Sequence, residues 1–169
     1  MAVAVSFTRV FTSPLLRASK TCELAGFGVG AEVDHDLIEW DYGRFEGKLT
    51  RDILKDRPGW ELYRDGCPDG EAPGGVAARA DRFLARIQGI AGDVLAFSSG
   101  HIIRMIAARW LGLPPAAGRV FFYLPAESPA NDQERKSVLR NVFADVGWEC
   151  PQNLAALARV GSIYFDRAS

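Results

Sequence analysis

The stretch GDVLAFSSGHIIRMIAARWLGL, residues 92–113, decides the fold class of this chain. Residues 94–97 form an apolar run that ends at small residues, which is typical of a buried parallel strand. Apolar side chains then recur at helical spacing until Gly112 closes the pattern, namely Ile102, Ile103, Ile106, Ala107 and Leu111. A strand, a tight turn and an amphipathic helix in this order predict an open α/β sheet, whose ligands bind at the carboxyl ends of the strands.

The turn at residues 98–101, SSGH, is the predicted ligand site within this stretch. The first N–H groups of a helix have no partner inside the helix and carry a partial positive charge. We therefore expect Ser98, Ser99, Gly100 and His101 to hold a phosphate or another anion.

The composition predicts one ordinary domain over residues 1–169, with 48% hydrophobic residues to form its core. A formal net charge of -1 and the lack of a long basic run argue against a nucleic acid or a membrane as partner. No segment approaches the roughly 18 consecutive apolar residues of a membrane span. The first ten residues do not resemble a signal peptide, so we expect a cytoplasmic protein.

The cysteine and histidine content argues against a metal site. Cys22, Cys67 and Cys150 are odd in number and widely separated, so they match no paired ligand spacing and indicate reduced thiols. His35 and His101 complete the set without forming a local cluster. We expect neither a metal nor a cofactor.

Arg17 is an unusual residue for its position. Residues 8–12 alternate like a short strand, and Ser13 followed by Pro14 is a helix-start signal, so Arg17 falls in the first helical turn. A cation there opposes the helix dipole. Either its long side chain reaches solvent, or its guanidinium points at a bound oxyanion.

Two further segments are candidates for a site. Residues 37–47, LIEWDYGRFEG, mix carboxylates with aromatic side chains, which suits either a general acid or a loop that covers the edge of the core. Residues 64–75 are rich in glycine and proline and are predicted to be a mobile loop of the kind that covers an active site. An amphipathic helix is predicted from Val76 onward, with Val76, Ala77, Ala80, Phe83, Leu84 and Ile87 on its apolar face.

Four segments together resemble one family in order and spacing. They are TSPLLRA at 12–18 with Thr21, LIEWDYG at 37–43 with Glu46 and Gly47, DGCPDGE at 65–71 with Arg79, and residues 94–113. These are similar to the SPL-x-RA-x-x-T motif, the L-x-E-x-x-x-G-x-x-E-G motif, the Gly-Gly-Glu loop and the Ser-His-Gly turn with its helix in the histidine phosphatase superfamily. The resemblance covers residues 7–119 and leaves a divergent tail at 120–169. It implies a three-layer α/β/α phosphoglycerate mutase-like fold with a mainly parallel sheet, and it implies hydrolysis of phosphate monoesters.

The resemblance also implies roles for single residues. In this family the histidine of an Arg-His-Gly triplet attacks phosphorus, a second histidine and two arginines stabilise the phosphoryl oxygens, and a carboxylic acid protonates the leaving alcohol. By this likeness Arg17 binds phosphate, Glu39 is the proton donor, and Ser99 stands in place of the second histidine. Gly100 and His101 complete the predicted phosphate-binding turn, although family members often carry a histidine at the position of His101 as well.

The sequence departs from the family at the nucleophile. It contains no Arg-His-Gly triplet, and the likeness begins at the family's second strand, so we expect the first strand and first helix to be lacking. Either a truncated gene product or a pseudoenzyme would explain this. Loss of the attacker and of one cation predicts little or no phosphatase activity, since roughly 1.4 kcal/mol of barrier is tenfold in rate.

Two expectations and two alternatives follow. Residues 162–165 are expected to add a strand in place of the missing one, or two chains to pair as a homodimer, because a lost central strand leaves unpaired backbone groups. The expected partner is a phosphorylated small molecule or a phosphate ion.

One alternative function is that of an inactive module that binds a phosphate ester or a protein. A serine hydrolase using Ser99 is disfavoured because residues 97–101 do not fit Gly-x-Ser-x-Gly.

Overall fold

A four-stranded sheet lies at the centre of the computed structural model, which describes residues 7–121 and 162–165. The strands are β1 (Arg9–Thr12), β2 (Glu32–Val33), β3 (Val94–Phe97) and β4 (Ser162–Phe165). They lie side by side in the order β2-β1-β3-β4. Strand β1 is parallel to both β2 and β3, and β4 is antiparallel to β3. The predicted mainly parallel sheet is therefore confirmed.

Helices connect these strands along the chain. They are α1 (Leu16–Leu24), α2 (Thr50–Asp56), α3 (Leu62–Asp65), α4 (Pro73–Gln88) and α5 (Gly100–Trp110). Short 3₁₀ turns occupy His35–Leu37, Gly43–Phe45 and Pro115–Val120. In the described part of the chain, no helix is both long and apolar enough to cross a membrane.

Both faces of the sheet are covered by apolar side chains, because successive residues of a strand point to opposite faces. Phe11 of β1 and Val94 and Ala96 of β3 join a large core with the apolar faces of α4 and α5. Leu95 and Phe97 point the other way and pack with Cys22 of α1. Helices therefore lie on both sides of the sheet, and the predicted three-layer α/β/α architecture is confirmed.

Strand β3 is hydrogen-bonded on both of its sides. Val94 lies opposite Arg9 of β1 on one side and opposite Phe165 of β4 on the other. The prediction that residues 162–165 add a strand is thus confirmed, and they do so beside β3, whose four residues are all buried. Pairing of two chains stays a prediction, and residues 122–161 of the predicted divergent tail lie outside the described residues.

Helix α1 begins later than the sequence predicts. Ser13 is buried, and its Oγ accepts a hydrogen bond from the Leu15 N–H at 3.3 Å instead of capping a helix that starts at Pro14. Leu15 takes the N-cap position, so Arg17 is the second residue of the helix. The predicted first-turn position of Arg17 still holds, with the helix start shifted by two residues.

Helix α4 begins earlier than the sequence predicts. It starts at Pro73, where the fixed φ of proline suits the first helical position, and not at Val76. Its buried residues are the six that the helical spacing predicts: Val76, Ala77, Ala80, Phe83, Leu84 and Ile87. The predicted loop at 64–75 is therefore shorter, because α3 occupies its start and α4 its end.

Candidate active site

Arg17 and Ser99 meet at the carboxyl edge of the sheet. Because β1 and β3 are parallel, with Thr12 opposite Phe97, the turns that follow them lie side by side. The Arg17 Nε donates a hydrogen bond of 2.8 Å to the Ser99 Oγ. Two predicted site residues that are distant in sequence are thus brought together, and the Ser99 hydroxyl hydrogen is left to donate to a ligand.

Glu39 caps the amino terminus of α5. Its carboxylate accepts hydrogen bonds from the N–H groups of Trp40, His101 and Ile102 at 2.9, 3.3 and 3.0 Å. Ser99 holds the N-cap position of α5, but its side chain makes no capping bond. A carboxylate at a helix amino terminus satisfies free N–H groups and is favoured by the helix dipole. Of the amides in the predicted phosphate-binding turn, that of His101 therefore donates to a carboxylate of the chain itself.

Space for a ligand remains beside Gly100. Beyond its chain neighbours and the backbone of its own helix, a Cβ built on Gly100 would meet no described atom within 4 Å. The Arg17 side chain is exposed, and Ser99 lies one residue before this glycine. Arg17, Ser99 and Gly100 are consequently the predicted phosphate ligands that this arrangement leaves available.

A salt bridge between Glu71 and Arg79 fixes the segment that carries Glu39. The Arg79 Nε and Nη2 donate to the two Glu71 carboxylate oxygens at 2.8 and 2.7 Å. The Arg79 Nη1 donates to the carbonyls of Asp36 and Ile38, each at 2.9 Å. Arg79 thereby ties down the backbone immediately before Glu39, a positioning role that the sequence motif alone does not reveal.

The loop before α4 is joined to the same segment. The Glu71 carbonyl accepts a hydrogen bond from Trp40 Nε1 at 3.0 Å, and the Glu71 N–H donates to the Asp41 carbonyl at 2.9 Å. Gly43 has a φ of +50°, and a Cβ there would lie 2.3 Å from the Pro68 carbonyl oxygen. This loop, predicted to cover the site, is bonded to the segment that presents Glu39.

Tyr42 and His101 form a second contact at the site. The Tyr42 hydroxyl lies 2.6 Å from the His101 Nδ1. Burial, and then the negative charge of Glu39, raises the pKa of Tyr42, which keeps its hydroxyl protonated. Burial lowers the pKa of His101 below its ordinary 6.5, and the charge of Arg104 adds to this effect while Glu39 opposes it. The tautomer of the neutral His101 imidazole sets the direction of its hydrogen bond with the Tyr42 hydroxyl.

A cavity of about 380 Å³ adjoins these residues. Tyr42, Tyr63 and His101 line it together with the cations Lys48, Arg104 and Arg119. The Tyr63 hydroxyl donates to the His101 carbonyl at 3.1 Å. Burial raises the pKa of Tyr63, and the charge of Arg104 opposes that rise. His101 therefore belongs both to the turn at the sheet edge and to the wall of the cavity.

Comparison with known proteins places the chain in a family. A family model described as the histidine phosphatase superfamily (branch 1) matches residues 2–128. The chain belongs to this superfamily. The match includes every strand and helix described above except β4, and it includes all five predicted site residues.

Two relatives within the superfamily are similar in sequence. A sedoheptulose 1,7-bisphosphatase from Saccharomyces cerevisiae is 40% identical over 64% of this chain and 49% of its own length. An acid phosphatase from Mycobacterium tuberculosis is 41% identical over 66% of this chain and 56% of its own length. The chain therefore spans about half the length of these relatives.

Solved structures agree with the superfamily fold. The product of an open reading frame from Mycobacterium tuberculosis has a TM-score of 0.64 and 40% identity, covering 67% of this chain and 59% of that one. A mycobacterial glucosyl-3-phosphoglycerate phosphatase has a TM-score of 0.60 and 26% identity, with coverage of 70% and 64%. The phosphoglycerate mutase-like fold that the sequence motifs imply is thus supported by solved structures, one of which is a named phosphatase.

Sequence reasoning missed several residues that the superfamily fold brings to this site. Tyr42, Tyr63 and Arg104 line the cavity but were not predicted. Arg104 lies three residues after His101 on α5, so both side chains occupy one helix face, and this spacing was the available signal. Within residues 7–121 and 162–165, no group of three or more His, Cys, Asp or Glu side chains is placed to hold a metal.

Proposed function

We propose that these 169 residues bind phosphate monoesters, or the phosphate ion, at Arg17, Ser99 and Gly100, and hydrolyse the esters little or not at all. The observation that carries the proposal is the 2.8 Å hydrogen bond from Arg17 Nε to Ser99 Oγ. It sets a guanidinium beside a hydroxyl at the edge of the sheet where open α/β folds bind ligands. The proposal invokes neither a metal nor a cofactor.

The donors at this site suit a phosphate. A guanidinium presents several N–H donors in a plane and can bind two phosphate oxygens at once. With its Nε bonded to Ser99, Arg17 keeps its terminal nitrogens for a ligand, as far as the described residues are concerned. Ser99 adds an O–H donor, and the open space beside Gly100 lets an anion approach the backbone.

Weak hydrolysis follows from the residue types at hand. Phosphoryl transfer requires an attacking group and positive charge near the transferred oxygens. Ser99 supplies a hydroxyl but no charge where the superfamily motif has a histidine, and the sequence has no Arg-His-Gly triplet. His101 is held neutral by burial, because its pKa lies below the ordinary value, so it does not replace the missing cation.

Phosphomonoester hydrolysis is the second candidate function. It is favoured by the position of Glu39, whose carboxylate binds the first amides of α5 next to the proposed phosphate site. A carboxylic acid at that place could protonate a leaving alcohol, as the superfamily motif implies. Relatives that are 40% and 41% identical carry the names of phosphatases.

The test combines phosphate binding with turnover. Titration calorimetry with inorganic phosphate should give a dissociation constant at least about tenfold weaker for Arg17→Ala than for wild type, because a charge-assisted bond is lost. Arg51→Ala, which removes an exposed arginine of α2, is the matched control and should bind like wild type. Equal affinities for wild type and Arg17→Ala would contradict the binding site.

Turnover decides between the two candidates. We expect wild type to release no more phosphate from p-nitrophenyl phosphate than buffer alone. Phosphate release by wild type that both Arg17→Ala and His101→Ala abolish would overturn the proposed inactivity and favour the hydrolase. Circular dichroism of each variant confirms that it is folded before its turnover is compared.

A further inference from the structure

Three ionisable side chains surround the turn that carries the proposed phosphate site: Arg17, Glu39 and His101. Arg17 donates to Ser99, the residue before Gly100, at 2.8 Å. The Glu39 Oε2 accepts the N–H of His101 at 3.3 Å and lies 3.9 Å from the His101 Nδ1. When His101 is neutral, the negative charge of Glu39 offsets the positive charge of Arg17. These three side chains then bring no net charge to an anion that binds in the turn.

Tyr42 connects His101 to the two charged groups. Its hydroxyl lies 2.6 Å from the His101 Nδ1 and is also hydrogen-bonded to the Glu39 carboxylate. Burial raises the pKa of Tyr42, and the charge of Arg17 opposes that rise. Arg17 therefore lies within electrostatic range of Tyr42, and His101, which contacts the same hydroxyl, shares this environment.

The contacts of the His101 side chain suit its protonated form as well as its neutral form. The side chain is 36% exposed, so it can exchange a proton with solvent in the folded protein. In the imidazolium both ring nitrogens carry hydrogen, so Nδ1 donates to the Tyr42 hydroxyl. Tyr42 then turns its own hydrogen to Glu39. The chain from His101 through Tyr42 to Glu39 thus offers an acceptor for the Nδ1 hydrogen.

Other charged groups around His101 come from several segments of the chain. Burial lowers the pKa of His101 below its ordinary 6.5, Glu39 opposes this effect, and Arg104 on the same helix adds to it. Arg104 is hydrogen-bonded to the Tyr63 hydroxyl, which donates to the His101 carbonyl at 3.1 Å. The other charged side chains of the cavity wall are two carboxylates and two cations, namely Glu46, Glu61, Lys48 and Arg119. Because these four offset one another, Glu39 and Arg104 are the main charges acting on His101.

We propose that protonation of His101 regulates the Arg17 site, so that phosphate binds more tightly in mildly acidic solution than at neutral pH. The inference rests on the proposed function and adds the regulation of that same site. Ser99 brings no charge to the turn, whereas an imidazolium at His101 does. With His101 protonated, the charges of Arg17, Glu39 and His101 sum to one positive charge, which attracts the anion.

Titration calorimetry with inorganic phosphate at pH 7.5 and pH 5.0 tests the inference. For each protein, the dissociation constant at pH 7.5 is divided by that at pH 5.0. Phosphate changes its own charge over this range, but that change is common to all the proteins compared. The ratio for wild type should exceed that for His101→Gln at least about fivefold, because glutamine keeps a polar side chain but cannot gain a proton.

His35→Gln is the matched control. The chain has two histidines, and His35 is exposed, so this variant removes the other group of the same type. It should retain the wild-type ratio. Equal ratios for wild type and His101→Gln, or a His35→Gln variant that loses the wild-type ratio, would overturn the inference.

A proton NMR titration gives a second reading on the wild-type protein. Binding and protonation are linked, so phosphate must raise the pKa of His101 if protonation of His101 strengthens phosphate binding. The spectrum of His35→Gln assigns the two imidazole signals. A pKa of His101 that is the same without phosphate and at saturating phosphate would likewise overturn the inference.

The Arg17→Ala variant separates this inference from the proposed function. If Arg17→Ala weakens phosphate binding at pH 7.5 but wild type and His101→Gln respond equally to pH, the Arg17 site stands and its regulation by His101 fails. If Arg17→Ala binds like wild type while His101→Gln loses the response to pH, the Arg17 site fails and His101 still controls the affinity for phosphate.

Discussion

Replacement of Arg79 by alanine should destabilise the fold more than replacement of any exposed arginine on the same helix. The variant removes both bonds to the Glu71 carboxylate and both bonds to the carbonyls of Asp36 and Ile38. The Arg79 side chain is only 14% exposed and that of Glu71 27%, so water replaces these contacts poorly. Breaking a buried ion pair typically costs 3–5 kcal/mol, and the partial exposure of Glu71 places this one at about 3 kcal/mol.

Urea denaturation measures the loss in the free energy of unfolding directly, and a thermal melt gives a second reading of it. A loss of about 3 kcal/mol should lower the melting temperature of a chain of this size by about 9 °C. Arg82→Ala is the matched control, because Arg82 lies on the same helix and pairs with Asp36, but its side chain is 60% exposed. Exposed pairs contribute little, so this control should unfold close to wild type.

A double-mutant cycle with Glu71→Ala identifies the source of the loss. If the Arg79–Glu71 pair carries most of the effect, Glu71→Ala and Arg79→Ala together should cost clearly less than the sum of the two single variants. An Arg79→Ala variant that is no less stable than Arg82→Ala would refute the reasoning. Additive single effects would show that Arg79 acts through its two carbonyl contacts alone.

Two further predictions concern pH and backbone shape. Between pH 7.5 and 5.5 the melting temperature of wild type should fall more steeply than that of His101→Gln. Burial holds the folded-state pKa of His101 below 6.5, so its contribution is complete above pH 6.5 and is lost as the pH falls toward the folded value. Melting temperatures of wild type and His101→Gln that fall equally over this pH range would contradict the prediction. Gly43→Ala should cost about 2 kcal/mol or more, because φ is +50° and the new Cβ would lie 2.3 Å from the Pro68 carbonyl oxygen. Gly74→Ala, in the first turn of α4 with open space around it, should instead stabilise by up to about 1 kcal/mol, and urea titrations that rank these two variants in the opposite order would exclude the argument.

The elements whose apolar residues follow a regular pattern could be predicted from the sequence. The buried face of α4 and the bounds of β3 agree with the apolar spacing, because packing against one core imposes that spacing. The start of α1 was predicted two residues early. Ser13 is a good capping residue by type, but its burial at the sheet edge turns its hydroxyl to Leu15. A helix start depends on tertiary burial that a local motif does not contain.

The site was predictable where it depends on the ends of parallel strands and not where it depends on the path of a loop. Arg17 and Ser99 follow two parallel strands, so their encounter follows from the topology. The capping of α5 by Glu39 depends on the exact path of a loop that Arg79 fixes, and no spacing rule gives that path. The protonation state of His101 likewise depends on its burial, which is known only from the structure.

The short edge strand β2 affects whether a strand of another chain can pair with the sheet. It lies at one edge of the described sheet and is only two residues long. Glu32, one of those two residues, forms ion pairs with Arg9 of β1 and Arg86 of α4, so the edge is bordered by charge. A short edge strand that carries a charged side chain pairs poorly with a strand of another chain. The β2 edge of the sheet is therefore a poor site for aggregation by strand addition, although the central strand β3 is entirely apolar.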